Sequence, residues 1–362
     1  ENINYISSFI SNKEMKIIAK KTFRNNSENK LTNLDSSNKD MKLLCKKLLL
    51  SKKHQVGIEE SIDLIRQQAI NTGFISNKYR RIIYQSLLQR NTADSASIVS
   101  ALSTFSTNQY TNIIRLDTLR SKINSLFPNT SSINTNTNLK QSLFNFTNSF
   151  FTLNKDLHYF QGFHDITLLF FLLFDFKEEE TLQFMCDISP YYFKESLNSK
   201  EDQKHFDFNS EASIIQKLIY EYDHIEGSLI HKLFPDGLFF IFPWIITYFT
   251  HNIGSIEKQL RIFDYILCSS PGAIYFICAV LIVELFKEFK LKTGEDEFDE
   301  GHMFMHFQKV DYETVEFNKI LKLTEEFKSR FYKEQKSLGN LMSKEQGLLE
   351  SKKNPRVTIE SN

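Results

Sequence analysis

The sequence predicts an all-α fold, and three observations carry that prediction. Glycine and proline are scarce, 11 and 6 in 362 residues, too few for the turns of a many-stranded β architecture. Apolar residues recur every three or four positions through most of the chain. No segment shows a convincing strand pattern. Hydrophobic residues make up 41% of the chain, with 34 phenylalanines among them, enough for a sizeable core. The expected organisation is one large multi-helix domain over 56–335, without a significant sheet. A flexible basic Asn/Ser/Lys-rich arm precedes it at 1–55, and a weakly ordered tail follows at 336–362.

Taken in order, residues 1–55 carry 12 Lys/Arg and 5 Asp/Glu and read as a solvated arm with a helix at 41–50. Ile58, Ile62, Ile65 and Ile70 give the first helical face, and Gly73 ends it. Ser76 is placed to cap a second helix, with Tyr79, Ile82, Ile83 and Leu87 on one side. A helix is expected over 113–126, an Asn/Ser/Thr-rich loop over 128–138, and a helix over 139–153. Residues 166–176 are apolar all round, the mark of a buried helix. A polar loop is expected at 194–211 and helices near 212–234, 238–251, 257–269 and 272–290. A charged loop at 294–300 and a helix over 310–333, with Asp311 as its cap, complete the list. No fixed-period repeat is present.

Charge and cysteine usage exclude several function classes. Basic and acidic residues balance at 44 each, without the basic excess of a protein that holds phosphate backbones, so no nucleic-acid partner is expected. Cys45, Cys186, Cys268 and Cys278 form no CxxC pair, and zinc-finger and disulfide frameworks are not expected. No signal peptide is visible. The longest uncharged apolar stretch, 273–283, is interrupted by Glu284 before it can span a bilayer. No GxSxG or GxxxxGK[ST] motif occurs.

Two polar groups stand out. In HYFQGFHDI, His158 to Ile166, the polar side chains of His158, Gln161 and Asp165 are spaced three and four apart, so they can share a helix face or terminus. Gly162 permits close approach of another backbone. On spacing alone this also fits an ordinary helix entry, with Asp165 as a first-turn acid. In IIRLDTLRS, Ile113 to Ser121, Asp117 precedes Arg120 by three and Ser121 by four, so a carboxylate can hold a guanidinium in one pose. Alone, this reads first as an ordinary surface ion pair. His158, His164 and Asp165 lack the i, i+4 histidine spacing of a helical metal motif, and no metal site is expected.

Together the two groups carry more. IxxDxxR at Ile114, Asp117 and Arg120, followed by YxQGxxD at Tyr159, Gln161, Gly162 and Asp165, resembles the TBC domain of Rab GTPase-activating proteins. The QGFHDI variant is similar to the endoplasmic-reticulum-anchored subgroup that acts on Rab1-like GTPases. The stretches at 73–88 and 244–282 are similar to that subgroup's first and closing helices. The sequence departs from the wider family at Ser121, where most members have Thr, and at Tyr84, where many have Trp.

The resemblance implies a GTPase activator that completes a Rab active site. Arg120 would serve as arginine finger and Gln161 as glutamine finger. Asp117 and Asp165 would brace them, Gly162 would leave room for the Rab backbone, and Tyr159 would pack or touch the Rab. No cofactor of the chain's own is implied, since GTP and Mg²⁺ belong to the partner. The subgroup's C-terminal anchor implies membrane association through a segment not present here, on the cytosolic face of the endoplasmic reticulum or Golgi. The alternative is a catalytically silent TBC-fold module that holds a Rab.

Overall fold

The computed structural model describes residues 41–46, 48, 58–74, 76–88, 95–126, 133–197, 208–293 and 299–338. Among these residues the regular structure is helical throughout, with no strand. Most of the arm at 1–55 and the tail beyond 338 lie outside the described residues. Residues 41–46 are helical, and Met41, Leu44 and Cys45 are buried. The chain divides into two compact units, one of Glu1–Ser37 with Thr92–Cys186 and one of Asn38–Asn91 with Asp187–Asn362.

The first unit holds the helices Ser95–Ser103, Thr111–Leu119, Ile123–Leu126, Ile133–Leu153 and Phe163–Leu173, and the start of Glu178–Tyr192. Phenylalanine fills its core. Every residue of Phe163–Leu173 is buried, as an all-round apolar helix requires. Phe171 stacks on Phe146 at 5.1 Å, and Phe170 meets Phe184 at 4.9 Å. Phe151 meets Phe150 and Phe163 edge-to-face, the geometry that aromatic quadrupoles favour, and Phe150 lies tilted against Phe163.

Two expectations for this unit are corrected, and one further helix is found. The helix expected over 113–126 is broken. Thr111–Leu119 ends where Arg120 forms its C-cap, and a separate turn of helix begins at Ile123. The expected loop at 128–138 is helical from Ile133 onward. Asn and Thr cost only a few tenths of a kcal/mol each in a helix, so packing of Leu139, Leu143 and Phe146 carries the helix back through them. The Ser95–Ser103 helix was not expected, because only Ile98 on it is buried and its apolar period is faint.

The second unit is built on Ile58–Asn71, Asn77–Leu87, Lys194–Leu197, Phe208–Tyr222, His224–Leu233, Phe242–Ile246, Ile256–Cys268, Ala273–Thr293, Glu300–Gln308 and Phe317–Leu338. Trp244 is its largest buried side chain, against Phe240, Phe249 and Tyr312. Gly73 ends the first helix with φ +73°, its N–H donating to the Gln68 carbonyl at 2.9 Å.

Here too the sequence reading needs correction. Asp223 splits the helix expected over 212–234, because its carboxylate accepts the N–H groups of Ile225 and Glu226 and starts a new helix. Asp311 caps no helix; it closes a turn by accepting the Glu313 N–H, and the final helix starts at Phe317. The helix Glu300–Gln308, capped by Asp299, was not expected. Of the expected loop at 194–211, Lys194–Leu197 is helical, helix resumes at Phe208, and 198–207 lie outside the described residues.

The turn at Asp223 brings two helices into close contact at Gly227. A Cβ there would lie 2.7 Å from the Tyr220 Cα and 3.1 Å from the Ile219 carbonyl oxygen. Backbone atoms cannot rotate aside, so overpacking of about 1–3 kcal/mol outweighs the gain of about 1 kcal/mol in helix propensity. Gly227→Ala is expected to lower the thermal midpoint; an unchanged or raised midpoint would show that the two helices part without cost.

Candidate functional site

The residues that the sequence singles out all lie in the first unit. The Thr111–Leu119 helix is anchored at both ends. At its start, Thr111 Oγ1 donates to Asn148 Oδ1 at 2.8 Å, while the amide of Asn108 reaches the Asn148 carbonyl and Thr152. At its end, Lys140 Nζ donates to the Leu119 carbonyl at 2.6 Å, satisfying one of the carbonyls that a helix C-terminus leaves open. The Ile133–Leu153 helix thereby fixes the point where Arg120 leaves the fold.

Arg120 is 68% exposed at its side chain and Asp117 only 2%. Arg120 Nη2 donates to Asp117 Oδ1 at 2.6 Å, and its Nε reaches the Leu116 carbonyl at 3.3 Å. One edge of the guanidinium is thus held by a buried carboxylate, while much of the group faces outward. The other carboxylate oxygen, Asp117 Oδ2, accepts the Tyr159 hydroxyl at 2.8 Å. Tyr159 is itself buried. Burial, followed by the Asp117 carboxylate, holds its phenol far above the ordinary tyrosine range, so it stays a proton donor.

Tyr159 leads directly into the second motif. Gln161 follows it by two residues, exposed in a turn. Gly162 adopts φ +100°, a left-handed conformation that disfavours residues with a Cβ, and N-caps the Phe163–Leu173 helix. Asp165 lies in the first helical turn, where the dipole favours a carboxylate. Its N–H donates to the Gly162 carbonyl at 3.0 Å, and its Oδ1 lies 3.5 Å from His164 Nε2.

The structure therefore brings Arg120, Asp117 and Tyr159 into one hydrogen-bonded line that ends two residues from Gln161. It does not put His158, Gln161 and Asp165 on one helix face, since the helix begins only at Phe163. His158 turns instead to the Tyr110 hydroxyl, which hydrogen-bonds its Nδ1. Ser121 takes no part in the line; its buried hydroxyl has no hydrogen-bond partner among the described residues. Sequence reasoning assigned Tyr159 to packing or partner contact and missed its bond to Asp117, and it gave no role to Tyr110 or Lys140. The 42-residue separation of Tyr159 and Asp117 leaves no local signal for that bond.

Arg120 and Gln161 are both exposed, and Asp117 is occupied in bonding Arg120 and Tyr159. Among the described residues, no group of three His, Cys, Asp or Glu side chains is placed to hold a metal ion. No helix among them is long and apolar enough to cross a membrane.

Comparison with known proteins agrees with the motif reading. The family model of the Rab-GTPase-TBC domain matches residues 77–291. TBC1 domain family member 20 of Bos taurus is 24% identical over 255 residues, 69% of this chain and 60% of that protein. The GTPase-activating protein gyp10 of Schizosaccharomyces pombe is 23% identical over 131 residues, 36% of this chain and 33% of that protein. The crystal structure of the Chlamydomonas flagellar RabGAP TBC domain aligns with a TM-score of 0.54 at 12% identity, covering 82% of this chain and 95% of its own. That likeness speaks to the fold.

Proposed function

Because the chain belongs to the Rab-GTPase-TBC domain family, we propose that it is a GTPase-activating protein that completes the active site of a GTP-bound Rab-family GTPase. The observation that carries this reading is the outward-facing Arg120 guanidinium, braced by a buried carboxylate that Tyr159 ties to the segment bearing Gln161. Hydrolysis of GTP needs positive charge on the transferring phosphoryl and an oriented water. Arg120 supplies the first, its planar fork reaching two oxygens at once. Gln161 supplies the second, since a carboxamide both donates to and accepts from a water. GTP and Mg²⁺ come with the GTPase.

The QGFHDI variant and the likeness to TBC1 domain family member 20 support a finer reading: a Rab1-like GTPase, in vesicle transport at the cytosolic face of the endoplasmic reticulum or Golgi. Membrane association would come through a segment outside residues 1–362. The test is a panel of GTP-loaded Rab proteins scored for accelerated hydrolysis by the purified chain. Acceleration of a Rab1-like member supports the finer reading, and acceleration of other Rabs alone overturns it. Binding to Rab·GTP without acceleration of any member identifies a scaffold instead.

The helix that ends in Arg120 also exposes Ile113, Leu116 and Leu119, the last two at 58% and 57%. Apolar side chains bordering the finger are suited to the surface of the same GTPase. Leu116→Asp is expected to raise KM about tenfold, the scale of one good interface residue, with kcat retained because the contact forms equally in ground and transition states. Saturation kinetics against Rab·GTP concentration would check this, and an unchanged KM would place the docking surface elsewhere.

A further inference from the structure

Beyond Tyr159 the line of hydrogen bonds continues to His164, which no part of the reading above uses. His164 is buried at the second position of the Phe163–Leu173 helix. Its Nδ1 lies 3.3 Å from the Tyr159 hydroxyl oxygen. The single phenolic proton of Tyr159 is committed to Asp117 Oδ2 at 2.8 Å. A hydrogen bond between the two groups then has the imidazole as its donor, with a proton on Nδ1. At the far side of the ring, Nε2 faces Asp165 Oδ1 at 3.5 Å.

We propose that His164 is a positioning residue for the Arg120 guanidinium, acting through the Tyr159 hydroxyl and the Asp117 carboxylate in its Nδ1-protonated form. The proposal rests on the reading of Arg120 as the group that reaches the nucleotide. Each link has one direction. His164 Nδ1–H donates to Tyr159 Oη, Tyr159 Oη–H donates to Asp117 Oδ2, and Asp117 Oδ1 accepts from Arg120 Nη2. The imidazole occupies one lone pair of the phenol and leaves its proton no better target than Asp117. With both phenolic valences filled, the carboxylate plane is fixed, and with it the direction in which Arg120 leaves the surface. A base without a proton at Nδ1 would compete with Asp117 for the phenolic hydrogen and break the line at its centre. Oriented buried networks of this kind are stronger than their separate bonds, and a misplacement of about 1 Å in a reacting group can cost roughly a hundredfold in rate.

The experiment has a kinetic and a spectroscopic arm. For hydrolysis of a GTP-loaded Rab, His164→Ala is expected to lower kcat about tenfold, within the range that lost positioning can produce, with KM unchanged. His164→Asn, which returns an amide N–H near the place of Nδ1, is expected to recover most of the rate. In a Tyr159→Phe background, which cuts the line, His164→Ala is expected to cost nothing further in kcat. An equal loss in both backgrounds, or a loss in KM alone, would overturn the proposal. Long-range ¹H–¹⁵N spectra of ¹⁵N-histidine-labelled protein, assigned by loss of the His164 signal in the variant, are expected to show a protonated Nδ1. A bare Nδ1 would overturn the proposal whatever the kinetics. A wild-type chain that accelerates no Rab overturns instead the functional reading on which the proposal rests, and the spectra then still decide the direction of the hydrogen bonds.

Discussion

Replacing Arg120 with alanine is expected to lower the hydrolysis rate of a bound Rab·GTP by about 10³-fold or more, within the range for an arginine delivered in trans. The size follows from where charge develops. In the transition state the negative charge spreads over the phosphoryl oxygens, and a guanidinium fixed beside them stabilises that state more than the ground state, so kcat falls and KM changes little. Arg120→Lys recovers only a small part, because an ammonium is a point charge that cannot bridge two oxygens. Stability should fall only modestly. The arginine side chain is 68% exposed while its partner Asp117 is buried at 2%, and Asp117 keeps its bond to Tyr159 when the cation is removed. Gln161→Ala, also at an exposed position, is expected to cost about a hundredfold through loss of water positioning. Full activity in either variant, with folding verified by thermal unfolding, would remove that residue from the mechanism.

The fold was legible in the sequence where one strong local period decides it. The all-apolar run from Ile166 requires burial, and all eleven residues of Phe163–Leu173 are buried. The helix 256–268 declares itself by its apolar positions, and Ser255 accepts the Lys258 N–H at its start. What escaped was set by distant partners. The continuous pattern from Ile113 to Leu126 gives no local reason to stop at Leu119, but Lys140, 21 residues on, takes the Leu119 carbonyl. The Asn/Thr run from Ile133 is a poor helix by propensity and becomes helical through the packing of its C-terminal half. Asp223 and Asp311 show how one residue type is read two ways. Each accepts a backbone N–H two residues ahead, yet only Asp223 is followed directly by helix.

The candidate site divides along the same line. Asp117 and Arg120 are three apart, and their ion pair is a local event that spacing anticipates. Gly162 was expected to make room for a partner, and its φ of +100° adds a constraint internal to the chain. The Asp117–Tyr159 bond joins the two motifs across 42 residues. Periodicity does not encode such a pairing; it follows only once the Phe-rich core has set the two segments side by side. His164 was passed over for a related reason. Metal spacing was the only test applied to it, and that test asks about neighbours in sequence, not about a phenol brought close by the fold.

The largest effect on stability is expected at Asp264, in the second unit. This carboxylate is fully buried and accepts from three groups: the Phe74 N–H at 2.9 Å and, from the Asn77–Leu87 helix, Arg80 Nε at 3.0 Å and the Tyr84 hydroxyl at 2.6 Å. Burial works against the charge on Arg80, but Asp264, ahead of Glu257, outweighs it and holds the guanidinium above its ordinary range. Burial, with Asp264 next, keeps the Tyr84 phenol neutral well beyond the usual tyrosine range. Gly73 belongs to the same arrangement, because a Cβ there would come within 2.6 Å of Asp264 Oδ2.

Asp264→Ala would leave a buried guanidinium, a buried phenol and a backbone N–H short of their acceptor. Breaking a buried ion pair from one side costs about 3–5 kcal/mol, a large share of the roughly 5–15 kcal/mol that holds a typical protein folded. Tyr84→Phe removes one charge-assisted bond and should cost about 1.5–3 kcal/mol. Removing the stranded cation as well reverses part of the damage, so Asp264→Ala with Arg80→Met should be less destabilised than the sum of the two single variants. Denaturant unfolding of the four proteins measures that coupling. Strict additivity would mean that Arg80 and Asp264 are each held by the rest of the unit and not by one another. A coupling of opposite sign, with the double variant worse than the sum, would mean that Arg80's bonds to Asn77 and Glu257 sustain it once Asp264 is gone.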